Sequence, residues 1–407
     1  MRKLESFLND AGAVRTTKQV RSIVNSGAST PTEMDFLPPG TSSNAFRVEA
    51  IATDANRRIP QLDGWRGISI LFVIFGHLVN QRYSPLGPLD NPSVIALVLS
   101  AWGVDIFFVI SGFIITKLAL SERDTAGSFA FKAFYVRRFF RIVPPFYLYL
   151  AFILLLTSTG LILERQSPTL LAATFTCNLL IPPCGWFSGH SWTLAYEEQF
   201  YLIFPLLFAL SGRATRLVFS ALFIVLVSFP FFRYLLHLGG EWHAIARFLP
   251  SFVFICAGTV MATYEPVLKR LSESRQAVYL IYLSMGCVIA IFLSFITYKE
   301  LNTPIAYLHA SLNITILPLC IAWLIGSSLY RQSWLTDILK IKPLQFIGLI
   351  SYSLYLWQQL FTAHPSFYQG DSWLLFSPLV FLFAAMSYYL VERPCVRLGR
   401  RLLATNP

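Results

Sequence analysis

Charged residues are scarce in this chain. Asp, Glu, Lys and Arg make up 13% of the 407 residues, whereas hydrophobic residues make up 55% and the mean hydropathy is +0.58. Such a composition excludes a soluble domain, and the chain is too long for a single membrane anchor. No apolar segment resembling a cleavable signal peptide precedes the first long hydrophobic stretch, so the first span is expected to act as its own insertion signal.

Acidic residues are fewer than basic ones, 21 against 32, and the basic residues are unevenly distributed. Ten apolar stretches have a length that suits a bilayer, at roughly 66–82, 94–116, 142–162, 191–211, 217–236, 245–263, 277–297, 305–328, 344–361 and 374–391. With a cytoplasmic N-terminus, the cytoplasmic side holds 27 of the 32 Lys and Arg, which is the positive-inside pattern. We therefore predict an all-α polytopic membrane helix bundle of about ten transmembrane helices, with both termini cytoplasmic.

This topology explains the basic charge, so no nucleic-acid partner is expected. Residues 1–58 carry scattered charge and many Ser and Thr but no apolar run, which predicts a polar, mostly disordered cytoplasmic tail. The integral-membrane domain is predicted over 59–396, and a short basic cytoplasmic tail over 397–407.

Cysteines are few, and their spacing is not that of a metal site. Cys177 and Cys184 fall in the predicted outer segment 163–190, where an oxidising compartment would allow a disulfide. The sequence leaves the bridge and the two free thiols equally open. No histidine joins this pair at ligand spacing, so no metal is expected. The other four cysteines lie in spans or at an inner end and are expected to pack.

Two ionisable side chains, Arg66 and His77, lie eleven residues apart in the first predicted span. On a helix, three turns bring them to nearly the same face, about 16 Å apart along the axis. This arrangement predicts one ligand held at both ends, with an anionic head beside Arg66 and a reactive tip beside His77. The imidazole can take a proton from an attacking hydroxyl. A structural histidine bonded to a neighbouring carbonyl is the alternative.

Asp105 and Glu197 are the candidate carboxylates that would orient His77. Asp105 has apolar neighbours in the second span and needs a partner, either in a structural pair or in the reaction itself. The following Ser111-Gly112 step predicts a close helix approach or a kink.

Glu197 and Glu198 lie near the start of the fourth span, where helix capping explains one carboxylate but not both. One of them is expected to face a polar cavity on the outer side. His190, which precedes this helix, is interpreted as an interfacial residue.

Arg138 and Arg141 are three residues apart at the start of the third span, so on a helix they point the same way. Their planar, permanently charged groups suit a phosphate ligand. Together with Arg66, which is expected at the same membrane surface, they predict a binding site for a polyphosphate such as coenzyme A. Anchoring at the cytoplasmic surface is the alternative explanation.

Together these segments resemble the membrane acyltransferase-3 family, which O-acylates cell-surface carbohydrates. The matching blocks, in chain order, are Leu62 to His77, Gly103 to Gly112, the Arg138 and Arg141 pair, Trp192 to Tyr201, Ile350 to Trp357, and Val391 to Pro394. The resemblance implies a ten-span bundle in the bacterial inner membrane. It implies acyl-CoA as the donor from the cytoplasm, and acetyl-CoA is the commonest such donor. It also implies Arg66 and His77 as the essential pair and Arg138 with Arg141 in the donor site.

The expected acceptor is a carbohydrate or lipid-linked glycan, such as an O-antigen, an exopolysaccharide or an oligosaccharide. The chain departs from the family in two ways. Gln358 follows Tyr-Leu-Trp where the family often has a histidine, so any role of that imidazole is expected to be absent or to be taken over by a neutral hydrogen bond. The sequence also ends thirteen residues after Pro394, without the esterase-like domain of many relatives. Transfer is then expected from the membrane domain alone, or with a separate periplasmic partner. The acceptor hydroxyl is expected to attack either the thioester directly, with His77 as general base, or an acylated intermediate first formed on the enzyme, and the sequence leaves both routes open.

Two other classes remain open at this stage. A transporter or flippase would use Arg66, His77, Asp105 and Glu197 as an intramembrane relay. Its usual sign, paired broken helices in two related halves, is not evident in the sequence. The second class is a membrane sensor that acts through the N-terminal tail.

Overall fold

The computed structural model describes residues 58–83, 91–163, 169–179, 184–235, 242–297, 304–370 and 375–405. Within these ranges the chain is helical and contains no strand, and one isolated bridge pairs Ile162 with Tyr368. The prediction of an all-α chain is confirmed. The predicted tail, residues 1–58, lies outside the described residues except for its last residue.

Sixteen α-helices occur in the described ranges. They are α1 Pro60–Leu78, α2 Asn91–Ala126, α3 Phe131–Ser158, α4 Thr169–Ala173, α5 Trp186–Gly189, α6 Ser191–Ser211, α7 Thr215–Leu235, α8 Trp242–Thr263, α9 Glu265–Glu273, α10 Gln276–Thr297, α11 Pro304–Tyr330, α12 Trp334–Leu339, α13 Lys342–Leu349, α14 Ser351–Thr362, α15 Leu379–Ser387 and α16 Arg393–Thr405. Single π-helical turns follow α1 at Val79–Tyr83 and α15 at Tyr388–Glu392.

Seven helical stretches in the described residues are long and apolar enough to cross a membrane, or eight if the bent pair α8 and α9 is counted as one span. One of the seven, Trp186–Phe229, has 44 residues and includes α6 and most of α7. At 1.5 Å per residue it is about twice as long as a bilayer core is thick, so it suits two crossings. The chain is an integral membrane protein, and the count of ten spans stays a prediction.

Several predicted spans have different bounds in the structure, and the third and the ninth illustrate the difference. The third was expected over 142–162, but α3 begins at Phe131 and so carries the arginine-rich segment as helix. The ninth, expected over 344–361, is divided into α13 and α14 at Ile350. Hydropathy marks where a chain is apolar, whereas hydrogen bonding continues a helix through polar turns at the membrane surface.

Glycines allow three central helices to pack closely. A Cβ atom added to Gly103 of α2 would lie 2.5 Å from the Ser69 carbonyl oxygen of α1. On the opposite face of α2, a Cβ on Gly112 would lie 1.9 Å from the Ile255 oxygen of α8. Small residues at such contacts are typical of membrane helix pairs. The close helix approach predicted at Ser111-Gly112 is therefore confirmed.

The first residues of α1 are held between other helices. Pro60 occupies the first turn, where its missing N–H costs no hydrogen bond. A Cβ on Gly64 would lie 2.3 Å from the Leu339 oxygen, and the Trp65 indole donates a hydrogen bond of 3.1 Å to Ser328 Oγ of α11. These contacts fix the rotation of α1 about its axis and hence the direction of Arg66 and His77.

Cys177 and Cys184 form a disulfide, which decides the alternative that the sequence left open. Cys256, Cys287, Cys320 and Cys395 are free, and the first and third of these are buried.

Candidate active site

A cavity of about 190 Å³ lies where α1, α2, α6 and α14 meet. Its lining contains two histidines and one glutamine among apolar and aromatic side chains. The lining residues are Val73, His77, Leu97, Ser100, Ala101, Val104, His190, Trp192, Tyr355 and Gln359. The lining contains no Asp, Glu, Lys or Arg, so only the two histidines could carry a charge near neutral pH. We call this space the imidazole cavity.

His77 reaches this cavity from the last turn of α1. Its Nδ1 atom lies 2.7 Å from Oε1 of Gln358, a fully buried residue of α14. The Thr362 hydroxyl donates to the same oxygen at 3.3 Å. With the Gln358 amide oriented this way, which leaves its nitrogen buried without a partner among the described residues, Nδ1 of His77 carries the hydrogen and Nε2 of His77 holds a free lone pair. The ring edge of Trp186 packs against the imidazole, with ring centroids 5.5 Å apart.

Gln358 thus provides the neutral hydrogen bond that the sequence led us to expect at this position. Gln358 therefore forms the contact to His77 that the sequence had led us to expect from Asp105 or Glu197. Among the described residues, Asp105 takes part in no hydrogen bond or ion pair. Its participation in the reaction stays a prediction.

Glu197 also lies away from His77. Its carboxylate accepts hydrogen bonds from Ser111 Oγ at 2.7 Å and from the Tyr201 hydroxyl at 3.1 Å. The Arg138 guanidinium packs over the Tyr201 ring, 5.3 Å from its centroid, and interacts electrostatically with Glu197. The structure therefore associates Glu197 with Arg138 rather than with the imidazole.

The three predicted donor-site arginines lie within electrostatic range of one another. Arg66 interacts with Arg141 and Arg138, and it forms an ion pair of 3.4 Å with Asp63 in the preceding turn. We call these three residues the arginine cluster. Buried Glu392, which accepts a hydrogen bond of 2.9 Å from Ser353, lies in range of Arg141 and Arg66.

Arg138 and Arg141 have unused donors. Among the described residues neither forms a hydrogen bond or an ion pair within 4.0 Å, although each guanidinium carries five N–H groups. Both side chains are only partly exposed. Partly buried guanidinium groups without partners are suited to a planar or multivalent anion, since phosphate oxygens accept from two N–H groups at once.

The arginine cluster and the imidazole cavity are associated with opposite ends of α1. Arg66 lies in the second turn of the helix and His77 in the last, about 16 Å apart along the axis. None of the three arginines lines the imidazole cavity. A single ligand that reaches both places must therefore be long and extended.

Two residues that line the cavity, His190 and Gln359, were not singled out as functional from the sequence. His190 is 1% exposed, and its Nδ1 lies 2.6 Å from Oε1 of Gln359. The signal for Gln358 and Gln359 was present, since two consecutive amides in an apolar segment need buried partners. His190 offered no such signal, because its burial depends on how α6 packs against α14.

Comparison with known proteins identifies one family and several relatives named as O-acetyltransferases. A family profile described as "Acyltransferase domain" matches residues 59–392. "Putative O-acetyltransferase SACOL0978" of Staphylococcus aureus (strain COL) is 29% identical over 380 residues, which cover 86% of this chain and 59% of that protein. "Peptidoglycan O-acetyltransferase OatA" of Listeria monocytogenes is 25% identical over 377 residues, which cover 85% of this chain and 57% of that protein. The chain thus spans less than two thirds of these relatives. No solved structure matches the chain.

Proposed function

This chain belongs to the acyltransferase-3 family, and from that premise we propose that it is a membrane-bound O-acyltransferase. The group transferred is acetyl, the donor is acetyl-CoA, and the acceptor is a hydroxyl of an extracytoplasmic or lipid-linked carbohydrate. The names of the relatives support acetyl transfer. The single observation that carries the proposal is that α1 bears an oriented imidazole near one end and, near the other end, Arg66, which lies within electrostatic range of Arg138 and Arg141 of α3.

Acetyl-CoA fits this pairing because it is long and has different chemistry at its two ends. The phosphates bind Arg138 and Arg141, whose N–H groups have no partner among the described residues, with Arg66 beside them. The pantetheine arm runs along α1 and carries the thioester to His77. The proposal therefore requires a passage for this arm between the arginine cluster and the imidazole cavity.

The chemistry at His77 follows from its tautomer. With Nδ1–H held by Gln358, Nε2 accepts the proton of the attacking hydroxyl. The hydroxyl oxygen bonds to the thioester carbonyl carbon, the carbon–sulfur bond breaks, and the thiolate of CoA leaves and takes up a proton. The largely apolar lining of the cavity strengthens each of these interactions, because a medium of low polarity screens charge less than water does.

Several acceptors fit the proposal: an O-antigen, an exopolysaccharide, a lipid-linked oligosaccharide, or peptidoglycan as in the name of the Listeria relative. The protein acts in the bacterial inner membrane, with the donor on the cytoplasmic side. We retain the predicted division into residues 1–58, 59–396 and 397–407 as part of this proposal.

The test compares membranes that contain the wild-type chain with membranes that contain His77→Ala, both supplied with radiolabelled acetyl-CoA. We expect alkali-labile label on the glycan fraction only with the wild type. His364→Ala is the matched control, because this histidine is exposed and bonds only to nearby Ser366. Label retained by His77→Ala would refute the role of the imidazole.

Proton NMR of surface glycans from cells with and without the gene then identifies the acceptor. The transporter alternative makes the opposite prediction. It requires accumulation of substrate in vesicles without CoA, and family membership does not favour it.

A further inference from the structure

We infer that His190 binds the carbohydrate acceptor, through a hydroxyl or amide hydrogen next to the hydroxyl that is acylated. This inference rests on the proposed function and adds a second recognition group to the same cavity. His190 and His77 both line the cavity, although they come from different helical segments.

Consecutive residues of α14 hold the two imidazoles in the same way. Gln358 Oε1 lies 2.7 Å from Nδ1 of His77, and Gln359 Oε1 lies 2.6 Å from Nδ1 of His190. The backbone N–H of His190 donates to the same Gln359 oxygen at 3.1 Å. Since a backbone N–H can only donate, the atom it meets is the amide oxygen and not the amide nitrogen. Nδ1 of His190 therefore carries the hydrogen, and its Nε2 is an acceptor.

This acceptor has no partner. Nε2 of His190 is buried and makes no hydrogen bond within the part of the chain that the structure describes. Nine buried side-chain atoms of the described residues lack a partner, and Nε2 of His190 is the one among them that belongs to a residue lining the cavity. A hydrogen-bond donor supplied by a ligand in the cavity would satisfy Nε2.

The ring is also held rigidly. The edges of Tyr149 and Tyr355 pack against it, with centroids 5.2 and 5.5 Å away. The His190 carbonyl accepts from Thr193 Oγ1 at 3.0 Å and from the Tyr355 hydroxyl at 3.2 Å. A group fixed before the ligand arrives loses little freedom on binding, which is the property expected of a recognition residue.

The two imidazoles cannot serve the same hydroxyl. A hydroxyl has one hydrogen, and His77 takes it during transfer. His190 must therefore accept from a second donor on the same molecule. Sugars satisfy this requirement, because most ring carbons carry a hydroxyl or an amide next to another hydroxyl. Simple alcohols, which carry a single O–H hydrogen and no neighbouring donor, should not benefit from His190.

The experiment separates acceptor binding from donor chemistry. Membranes containing the full chain receive radiolabelled acetyl-CoA for measurement of the label on the membrane glycan. The purified chain receives acetyl-CoA without a glycan for measurement of the acceptor-independent release of CoA, and this is the CoA release compared below. His190→Phe keeps the ring size but has no acceptor atom. We expect its glycan label to fall at least tenfold while acceptor-independent CoA release stays within about twofold of wild type. His190→Gln, which can accept a hydrogen bond, should recover part of the label.

A second measurement uses small probes with the purified chain, cis-1,2-cyclohexanediol against cyclohexanol. The wild type should prefer the diol, and His190→Phe should lose the preference while acetylating cyclohexanol as before. Unchanged glycan label in His190→Phe would overturn the inference, as would parallel loss of label and CoA release. If the wild type itself labels no glycan, the proposed function fails as well, whereas loss in His77→Ala with full activity in His190→Phe defeats this inference alone.

Discussion

The two ends of α1 differ in how their polar groups are satisfied. At the imidazole cavity each histidine has one nitrogen fixed by a buried glutamine, and formal charge is absent. At the arginine cluster the groups are charged, and two of the three guanidiniums have unused donors. At the imidazole cavity the side chains are held in fixed orientations, as a proton transfer requires. At the arginine cluster N–H donors are unused, as the binding of an anion requires. Changes at the cavity should therefore affect kcat, and changes at the cluster should affect KM.

The largest expected effect tests the cavity. Gln358→Leu removes the hydrogen bond that orients His77 without changing charge. We expect kcat for acetyl transfer to fall about a hundredfold, the scale of a misplaced general base, with KM for acetyl-CoA unchanged. Gln369→Leu, at an exposed position, is the matched control. A change confined to KM would remove the distinction between the two ends.

The next effect tests the arginine cluster. Arg141→Ala should raise KM for acetyl-CoA about tenfold, because a charge-assisted contact to phosphate is lost, and should leave kcat nearly unchanged. Acetyl-pantetheine, which lacks the nucleotide phosphates, should react equally with wild type and variant. Arg213→Ala, at an exposed position in a turn, controls for general loss of positive charge. If acetyl-pantetheine were affected as strongly as acetyl-CoA, Arg141 would have another role.

A smaller effect tests whether Glu197 acts with the imidazole cavity or with the arginine cluster. The sequence favours a role beside His77, but the structure connects this carboxylate to Ser111, Tyr201 and Arg138. Glu197→Gln should then raise KM for acetyl-CoA by up to about fivefold, the effect of roughly 1 kcal/mol, with little change in kcat. A fall in kcat of the size expected for Gln358→Leu would instead support the catalytic role predicted from the sequence.

The smallest effect on chemistry is expected from the disulfide. The bridge between Cys177 and Cys184 closes a short loop just before α5 and His190. The double substitution to Ser should lower the free energy of unfolding by about 2 kcal/mol and leave KM for acetyl-CoA unchanged, since the arginine cluster lies elsewhere. Thermal unfolding in detergent, with a Cys287→Ser control, measures the difference. A raised KM would show that the two ends are mechanically coupled.

Much of the fold could be read from local sequence. Apolar runs predicted the helices, and the helical period placed Arg66 and His77 on one helix at a calculable separation, because both properties depend on neighbouring residues only. The three arginines could be grouped for a similar reason, since basic residues at the cytoplasmic ends of spans share one membrane surface. Ser111-Gly112 marked a helix contact but could not identify its partner, which is Ile255.

The contents of the cavity were decided by tertiary structure. His77 and Gln358 are 281 residues apart, and His190 and Gln359 are 169 apart, so no local pattern joins them. Which amide or carboxylate meets an imidazole depends on the rotation and depth of whole helices, and these follow from the summed packing of glycine contacts such as Gly64 and Gly103. The sequence by itself determined that this chain is a helical membrane protein with a cation and an imidazole on its first helix. Only the packing of helices decided that glutamines hold the imidazoles and that His190 is one of them.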